Sequence, residues 1–485
     1  MHDKKSNRFC HEILTSNIRR RCATSNLIMA LASYEAAKSP TELSESPLYH
    51  YHYSNISKVV EHLSFDEEEY KAVQRYIQSH CFSYYAQSDG HVVLQTDTTP
   101  VVKAHSPTLE DRTYIPIPNT VIKGNKPLSI GYEVSCINLS ADNKWSLPMS
   151  VERVASNETA TQKALSQLED LLSHPELNLS GQLCVTVLDS KYGNAVYLSP
   201  AFEHDNLVSA VRLKSGMKVY KQDIRTNTGG ANGIYGQKYY LIEQSDTKSY
   251  DKHPKTGLPY EVERDAILSL PADEKIRLEG STKKGKAVYI FIRRWKDIML
   301  RSSNGHNMKD KPFDLINVQV REKQTGKPVF KRPMFVALSG KRKEELTTTD
   351  AYKDYRKRYD IETYFRFAKQ QLMFEKFQTP LKRHFENWML IQQLTAWLLY
   401  AASDETDFNA KEWRKYLPEN KIKQGQRLSI AQTRHSTESL FLTFDPEPFK
   451  PIKSKKGKPR QKGETQSQRT QYPVVKKTTK KKPDT

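Results

Sequence analysis

The sequence has few cysteines and no long apolar run. Its 5 cysteines include no Cys-x-x-Cys pair, which argues against a disulfide framework and against a zinc finger. No stretch approaches the ~18 apolar residues of a membrane span, and the N-terminus lacks the apolar segment of a signal peptide. We therefore expect a soluble intracellular protein without a membrane partner.

Positive charge is what the chain has in excess. Its 76 Lys and Arg outnumber its 56 Asp and Glu, which gives a formal net charge of +20 over 485 residues. From Lys450 onward there are 13 Lys and Arg but 2 Asp and Glu, so the tail contributes +11 and the rest of the chain +9. This balance favours a polyanionic partner, nucleic acid first and a membrane surface second. The membrane is disfavoured because no basic amphipathic helix with a large apolar face is evident.

Changes in periodicity and composition divide the chain into six segments. The run HFENWMLIQQLTAWLLYAA is predicted to be a core helix. Val474 and Val475 beside Tyr472 indicate a short docking element within the tail. The predicted boundaries are 1–90, a helical and DNA-binding N-terminal domain; 91–204, the first part of an α/β core; 205–340, a β-rich insertion; 341–403, the helical second part of the core; 404–445, a C-terminal region without a clear pattern; and 446–485, a disordered basic tail.

Two predicted strands end in an aspartate. HVVLQTD leads to Asp97 and LCVTVLD leads to Asp189. Continuous apolar runs are typical of strands that are covered on both faces, and open α/β sheets place their sites at the carboxyl ends of such strands. An aspartate at a strand end can equally cap the following turn, so both interpretations stay open.

A third acid lies in a polar stripe near the end of the chain. Helical spacing of 3, 4, 4 and 3 predicts one polar face that contains Tyr355, Arg358, Glu362, Arg366 and Lys369. The apolar face of the same predicted helix contains Ile361, Phe365, Ala368 and Leu372. Taken alone, this pattern favours an exposed stripe of ion pairs.

Three carboxylates would suit phosphodiester chemistry. That reaction needs charge neutralised on a phosphate and a water or hydroxyl activated, and two Mg²⁺ ions about 3.5–4 Å apart supply both. Hard cations of this kind prefer carboxylate oxygens. Spacing and composition leave this interpretation and the structural alternatives open.

The pattern Tyr355-x2-Arg358-x3-Glu362-x6-Lys369 resembles the Tyr-Arg-Glu-Lys signature of DDE transposases from bacterial insertion sequences. LQTDTTP and VLDSKYGN resemble the segments that hold the first and second Asp of that family. The resemblance covers roughly residues 90–400. It implies an α/β fold in which a ribonuclease H-like catalytic core is interrupted by a mainly β insertion.

The resemblance also implies a function. The protein would be a DNA transposase that cleaves element ends and joins the freed 3′-hydroxyl to target DNA by metal-dependent phosphoryl transfer. Asp97, Asp189 and Glu362 would be the catalytic carboxylates and would bind two Mg²⁺ ions, with Mn²⁺ as an alternative metal. A metal-dependent nuclease without strand transfer, and a domesticated or inactive DNA-binding protein, are the alternatives.

The implied partner is double-stranded DNA, as terminal inverted repeats and as target, bound by a dimer at the nucleoid in the cytoplasm. Tyr355, Arg358 and Lys369 would contact phosphates next to the cleavage site. In some relatives an aromatic of the β insertion stacks on a flipped base, and Trp295 in FIRRWKD is the candidate here. The adjacent cations suit stacking, but a core or edge-strand tryptophan is the favoured interpretation.

Overall fold

Two units, each with its own hydrophobic core, make up the computed structural model. Unit 1 comprises residues 1–90, 97–178 and 359–485, and unit 2 comprises residues 91–96 and 179–358. The structure describes residues 4–85, 87, 90–117, 127–222, 235–241, 250–252, 259–261, 266–282, 284–330, 332–408, 412, 416, 426–444, 461, 463, 465 and 468–476.

The described residues form both helices and a large mixed sheet, which confirms the predicted mixed α/β class. The helices are α1 (Lys5–Thr15), α2 (Arg21–Ser33), α3 (Ser54–His62), α4 (Glu67–Phe82), α5 (Ala160–Leu172), α6 (Ala195–Ala201), α7 (Thr348–Lys357), α8 (Asp360–Gln371), α9 (Lys382–Ala402) and α10 (Ile430–Phe441). The strands are β1 (Val92–Val102), β2 (Thr113–Pro116), β3 (Leu128–Ala141), β4 (Trp145–Val154), β5 (Cys184–Leu188), β6 (Leu207–Arg212), β7 (Lys218–Gln222), β8 (Tyr235–Tyr240), β9 (Tyr250–Lys252), β10 (Pro259–Glu261), β11 (Glu274–Ser281), β12 (Ala287–Met299), β13 (Phe313–Glu322) and β14 (Met334–Ser339). Among the described residues, no helix is long and apolar enough to cross a membrane.

Unit 2 is organised by a mixed sheet. The first residues of β1 pair in parallel with β5, and β5 pairs in parallel with β6. Antiparallel pairing then continues through β14, β13 and β12, and β12 also pairs with β11 and β7. Apart from the 3-10 turn Ile267–Ser269, the described elements from β6 to β14 are all strands.

Unit 1 is built around α9, whose residues from Trp388 to Ala402 are all buried. This confirms the predicted core helix. Two buried side chains of α9 bond to main-chain oxygens of its neighbours: the Trp397 indole donates to Pro148 O on β4 at 2.7 Å, and Gln392 Nε2 donates to Leu372 O at 2.6 Å. Because buried polar groups are costly when unpaired, these bonds set how α9 packs.

Part of the basic tail is ordered in unit 1. The Tyr472 amide donates to Pro107 O at 2.9 Å, and the Val475 amide donates to Arg112 O at 2.8 Å. Val475 also forms a parallel bridge with Thr113 of β2. The docking element indicated by the sequence therefore pairs with β2, whose edge offers backbone groups for pairing.

The buried side chain of Asn387 generates a stability prediction. Its Nδ2 donates to Val60 O at 2.8 Å and to Ser64 O at 2.9 Å, so it links α9 to the end of α3. Replacing Asn387 with Ala should lower the free energy of unfolding by about 2–4 kcal/mol, because two buried carbonyl oxygens lose a donor.

Urea unfolding monitored by circular dichroism measures this change. Ser64→Ala is the control, since it removes only the hydroxyl that donates to Asn387 Oδ1 and should cost about 1 kcal/mol. Equal unfolding midpoints for Asn387→Ala and the parent protein would contradict the prediction.

Candidate functional site

The register of β1 and β5 determines where two of the predicted acids emerge. The parallel pairing runs from Val92 opposite Cys184 to Thr96 opposite Leu188. Asp97 is the residue after Thr96, and Asp189 is the residue after Leu188. Both strands are buried up to this point, and both aspartates are only partly buried. The two chain segments therefore leave the buried pairing at the same level, each with a carboxylate as its next residue.

A tight turn follows Asp189 in unit 2. Its Oδ1 accepts a hydrogen bond from the Lys191 amide at 2.8 Å, so one carboxylate oxygen caps the turn as the structural alternative supposed. Gly193 comes next, and a Cβ atom there would lie 2.5 Å from Arg212 O. Only glycine fits this close approach to β6. The side chain of Asn194 then caps α6 by accepting from the Tyr197 amide at 3.3 Å.

Asp97 lies in unit 1 beside a buried thiol. Its Oδ1 accepts from the Thr98 amide at 2.7 Å. Burial raises the pKa of Cys136 well above its ordinary value, the negative charge of Asp97 raises that pKa further, and the positive charge of Lys369 lowers it. Asp97 and Lys369, two of the predicted site residues, therefore both lie close enough to Cys136 to act on it electrostatically.

The predicted single helix across Tyr355–Lys369 is wrong. Helix α7 ends at Lys357, Arg358 caps it, and α8 begins at Asp360. Tyr355 packs in the core of unit 2, whereas Ile361 and Ala368 pack in the core of unit 1. The chain breaks at this point because its apolar residues on either side belong to different cores.

The break separates the residues of the predicted polar stripe. Tyr355 and Arg358 are buried in unit 2, with 1% and 6% exposure. Glu362 and Arg366 are exposed on α8, and Lys369 is partly buried one turn further on. Only the second half of the stripe therefore forms a polar helix face, and Tyr355 has a packing role in this structure. The predicted apolar face of α8 is confirmed, since Ile361, Ala368 and Leu372 are buried.

Lys369 is held at two points within unit 1. Its Nζ donates to Pro100 O, on the strand that carries Asp97, and forms an ion pair with Glu375 Oε1 at 3.0 Å. Glu375 lies beyond the end of α8, so helical spacing gave no signal for this partner. Glu362 lies in the first turn of α8, where the helix dipole stabilises a negative charge.

Trp295 does not occupy a surface that DNA can reach. Its side chain is fully buried, and its indole N–H donates to Leu270 O at 3.0 Å. The neighbouring Arg294 is also buried and pairs with Asp314 at 2.6 Å. A fully buried indole cannot stack on a base, so the base-stacking role predicted for Trp295 does not fit this structure. The core interpretation does.

Two contacts in unit 2 attach the end of α7 to β1 and to the residue before it, and neither was predicted from the sequence. Gln95 Nε2 donates to Lys357 O at 2.9 Å, and a ring nitrogen of His91 lies 2.6 Å from Asp354 Oδ2. Gln95 is fully buried and precedes Asp97 by two residues. These contacts fix the end of α7 against the strand that leads to Asp97. No short-range pattern could have indicated partners so distant along the chain.

Comparison with protein-family models shows which family the chain belongs to. A family model described as DDE superfamily endonuclease matches residues 10–252, and one described as Transposase DDE domain matches residues 141–399. Each match covers half of the chain or more. The chain belongs to the DDE superfamily. This confirms the predicted relationship at the level of the superfamily. No curated protein matches the sequence.

The two family matches of this DDE protein cover different members of the predicted set of acids. Both include Asp189, whereas Asp97 falls only in the first match and Glu362 only in the second. Members of these families generally depend on a divalent metal. Within the described parts of the chain, no three His, Cys, Asp or Glu side chains are grouped so that they could hold a metal ion.

The contrast between Arg358 and Arg366 in this DDE protein can be tested. Arg358→Ala should lower the free energy of unfolding by about 1–3 kcal/mol, because it removes a large buried side chain and leaves a cavity. Arg366→Ala should leave the thermal midpoint unchanged and weaken DNA binding, because Arg366 is exposed on α8. Thermal unfolding and DNA titration on both variants check this, and the reverse assignment of the two effects would contradict it.

Proposed function

We propose that this DDE protein is a transposase of the bacterial insertion-sequence type. It cleaves element ends and joins the freed 3′-hydroxyl to target DNA by phosphoryl transfer. The observation that carries the proposal is the register of β1 and β5, in which Thr96 opposite Leu188 is the last pair and an aspartate follows each. The family matches support the same chemistry.

We propose that the catalytic core is ribonuclease H-like. The parallel strands β1, β5 and β6 and the antiparallel hairpin β3–β4 support this assignment. The long antiparallel strands β11, β12 and β13 support a mainly β insertion between Asp189 and Glu362, because they interrupt the core. The carboxyl ends of the parallel strands are where such sheets carry their sites.

Asp97, Asp189 and Glu362 would hold two Mg²⁺ ions, with Mn²⁺ as a substitute. Oxygen-rich carboxylates suit these hard cations, and two of the three directly follow the last parallel pair of β1 and β5. When bound, the ions neutralise charge on the phosphate and lower the pKa of the attacking water or hydroxyl. Three carboxylates repel one another, so Glu362 joins the two aspartates only where cations offset that repulsion.

The residues of α8 would hold the DNA phosphates. Lys369 is directed by Pro100 O toward the strand of Asp97, and Arg366 is exposed on the same helix. Arg and Lys bind phosphate as a fork and as a point charge respectively. The net charge of +20 supports double-stranded DNA as the partner, and the pairing of two element ends calls for a dimer on DNA.

Neutralising Asp189 tests the metal site. Asp189→Asn should lower the rate of Mg²⁺-dependent cleavage by roughly two to three orders of magnitude, because one metal ligand loses its charge. Binding of the same DNA should be unchanged or slightly tighter, since a negative charge is removed. The substrate is plasmid DNA that carries the gene with its flanking sequence, and gel analysis separates nicked, linear and joined products.

Asp205→Asn is the matched control, because Asp205 is an exposed carboxylate of unit 2 that pairs with Lys341. Its cleavage rate should equal that of the parent protein. Full cleavage by Asp189→Asn would refute the metal-site assignment. Cleavage without joined products in the parent protein would favour a nuclease without strand transfer, and the absence of any cleavage would favour an inactive DNA-binding protein.

A further inference from the structure

The ammonium group of Lys369 forms an ion pair with Glu375, a residue that has no role in the proposed chemistry. The Lys369 Nζ lies 3.0 Å from Glu375 Oε1, and the two side chains keep 25% and 34% of their exposure. The same ammonium group donates to Pro100 O. One interaction therefore fixes the position of the charge, while the other neutralises it.

Glu375 is itself held in place by a buried cation. The Lys103 Nζ donates to the main-chain oxygens of Glu375 at 3.1 Å and of Phe377 at 2.8 Å. Lys103 is 4% exposed, so the bonds that fix this segment are shielded from water. The carboxylate of Glu375 is thus carried by a fixed backbone, although the side chain itself remains accessible.

We propose that Glu375 is a positioning residue that acts as the counter-charge of Lys369 in the DNA-free protein and is displaced by a DNA phosphate. This inference rests on the proposed function, in which Lys369 contacts a phosphate. The carboxylate of Glu375 and a phosphate oxygen have the same charge and accept the same hydrogen bonds. They therefore compete for one ammonium group.

Replacement of Glu375 by a DNA phosphate at Lys369 costs little free energy, for two physical reasons. A partly exposed ion pair contributes little to stability, because water and salt screen it. The bond to Pro100 O keeps the ammonium group in place when the carboxylate leaves, so little side-chain freedom is lost on DNA binding. Glu375 would therefore reduce the affinity of Lys369 for DNA, because each phosphate that binds Lys369 must first displace Glu375.

Neutralising Glu375 tests the inference directly. Glu375→Gln should bind a labelled DNA duplex of mixed sequence about two- to fivefold more tightly at low salt, which is the scale of a partly exposed ion pair. Binding is measured by fluorescence anisotropy in the presence of EDTA, so that no cleavage intervenes. Glu110→Gln is the matched control, because Glu110 also lies in unit 1, pairs with Lys382 at 3.6 Å and is 35% exposed. It makes the same change in net charge and should alter the affinity much less.

A double-mutant cycle separates competition for Lys369 from a general charge effect. In a Lys369→Ala background, Glu375→Gln should give no gain in DNA affinity. A gain of equal size with and without Lys369 would overturn the role of Glu375 and leave the phosphate contact of Lys369 intact. If Lys369→Ala itself leaves DNA affinity unchanged, the phosphate contact and this inference are both overturned. Thermal midpoints of all variants should agree, since the pair is partly exposed.

Discussion

The parallel pairing of β1 with β5 is the constraint on which the proposed chemistry depends. A parallel ladder brings equivalent ends of two strands together, whereas antiparallel pairing would send them in opposite directions. Here the ladder ends at Thr96 and Leu188, and the next residue of each strand is an aspartate. The turn after Asp189 keeps this geometry because Gly193 permits close approach to Arg212 O. Sheet register, and not loop conformation, therefore determines where Asp97 and Asp189 leave the parallel pairing.

The position of the third carboxylate, Glu362, depends on helix packing. Glu362 begins a helix that packs through Ile361 and Ala368 into the core of unit 1, while the preceding helix packs through Tyr355 into the core of unit 2. Gln95 bonds to Lys357 O and so attaches the end of that preceding helix to the strand of Asp97. In the proposed function the cations of α8 would contact DNA phosphates, and one of them, Lys369, forms an ion pair with Glu375.

Local patterns predicted the parts of this structure that local forces decide. Continuous apolar runs located β1 and β5, and helical spacing located the buried face of α8 and the core helix α9. The predicted strand end at Asp97 is wrong, because β1 continues to Val102, whereas Asp189 directly follows β5. The same spacing failed at Arg358 because a helical period can continue across a break that tertiary packing imposes. For Trp295 the core interpretation was the favoured one, and its burial and its hydrogen bond to Leu270 O agree with it. Glu375 escaped notice because it lies outside any helix with Lys369.

The central claim is that Asp97, Asp189 and Glu362 bind the same metal centre on DNA. Fe²⁺ can replace Mg²⁺ in the DNA complex, and with ascorbate and peroxide it generates radicals that cut the polypeptide next to the ion. Mass spectrometry of the fragments then locates the metal. The account predicts cuts beside Asp97, Asp189 and Glu362, all three lost together in Asp189→Asn. Cuts that omit any one of these segments, or that persist in the variant, would contradict it.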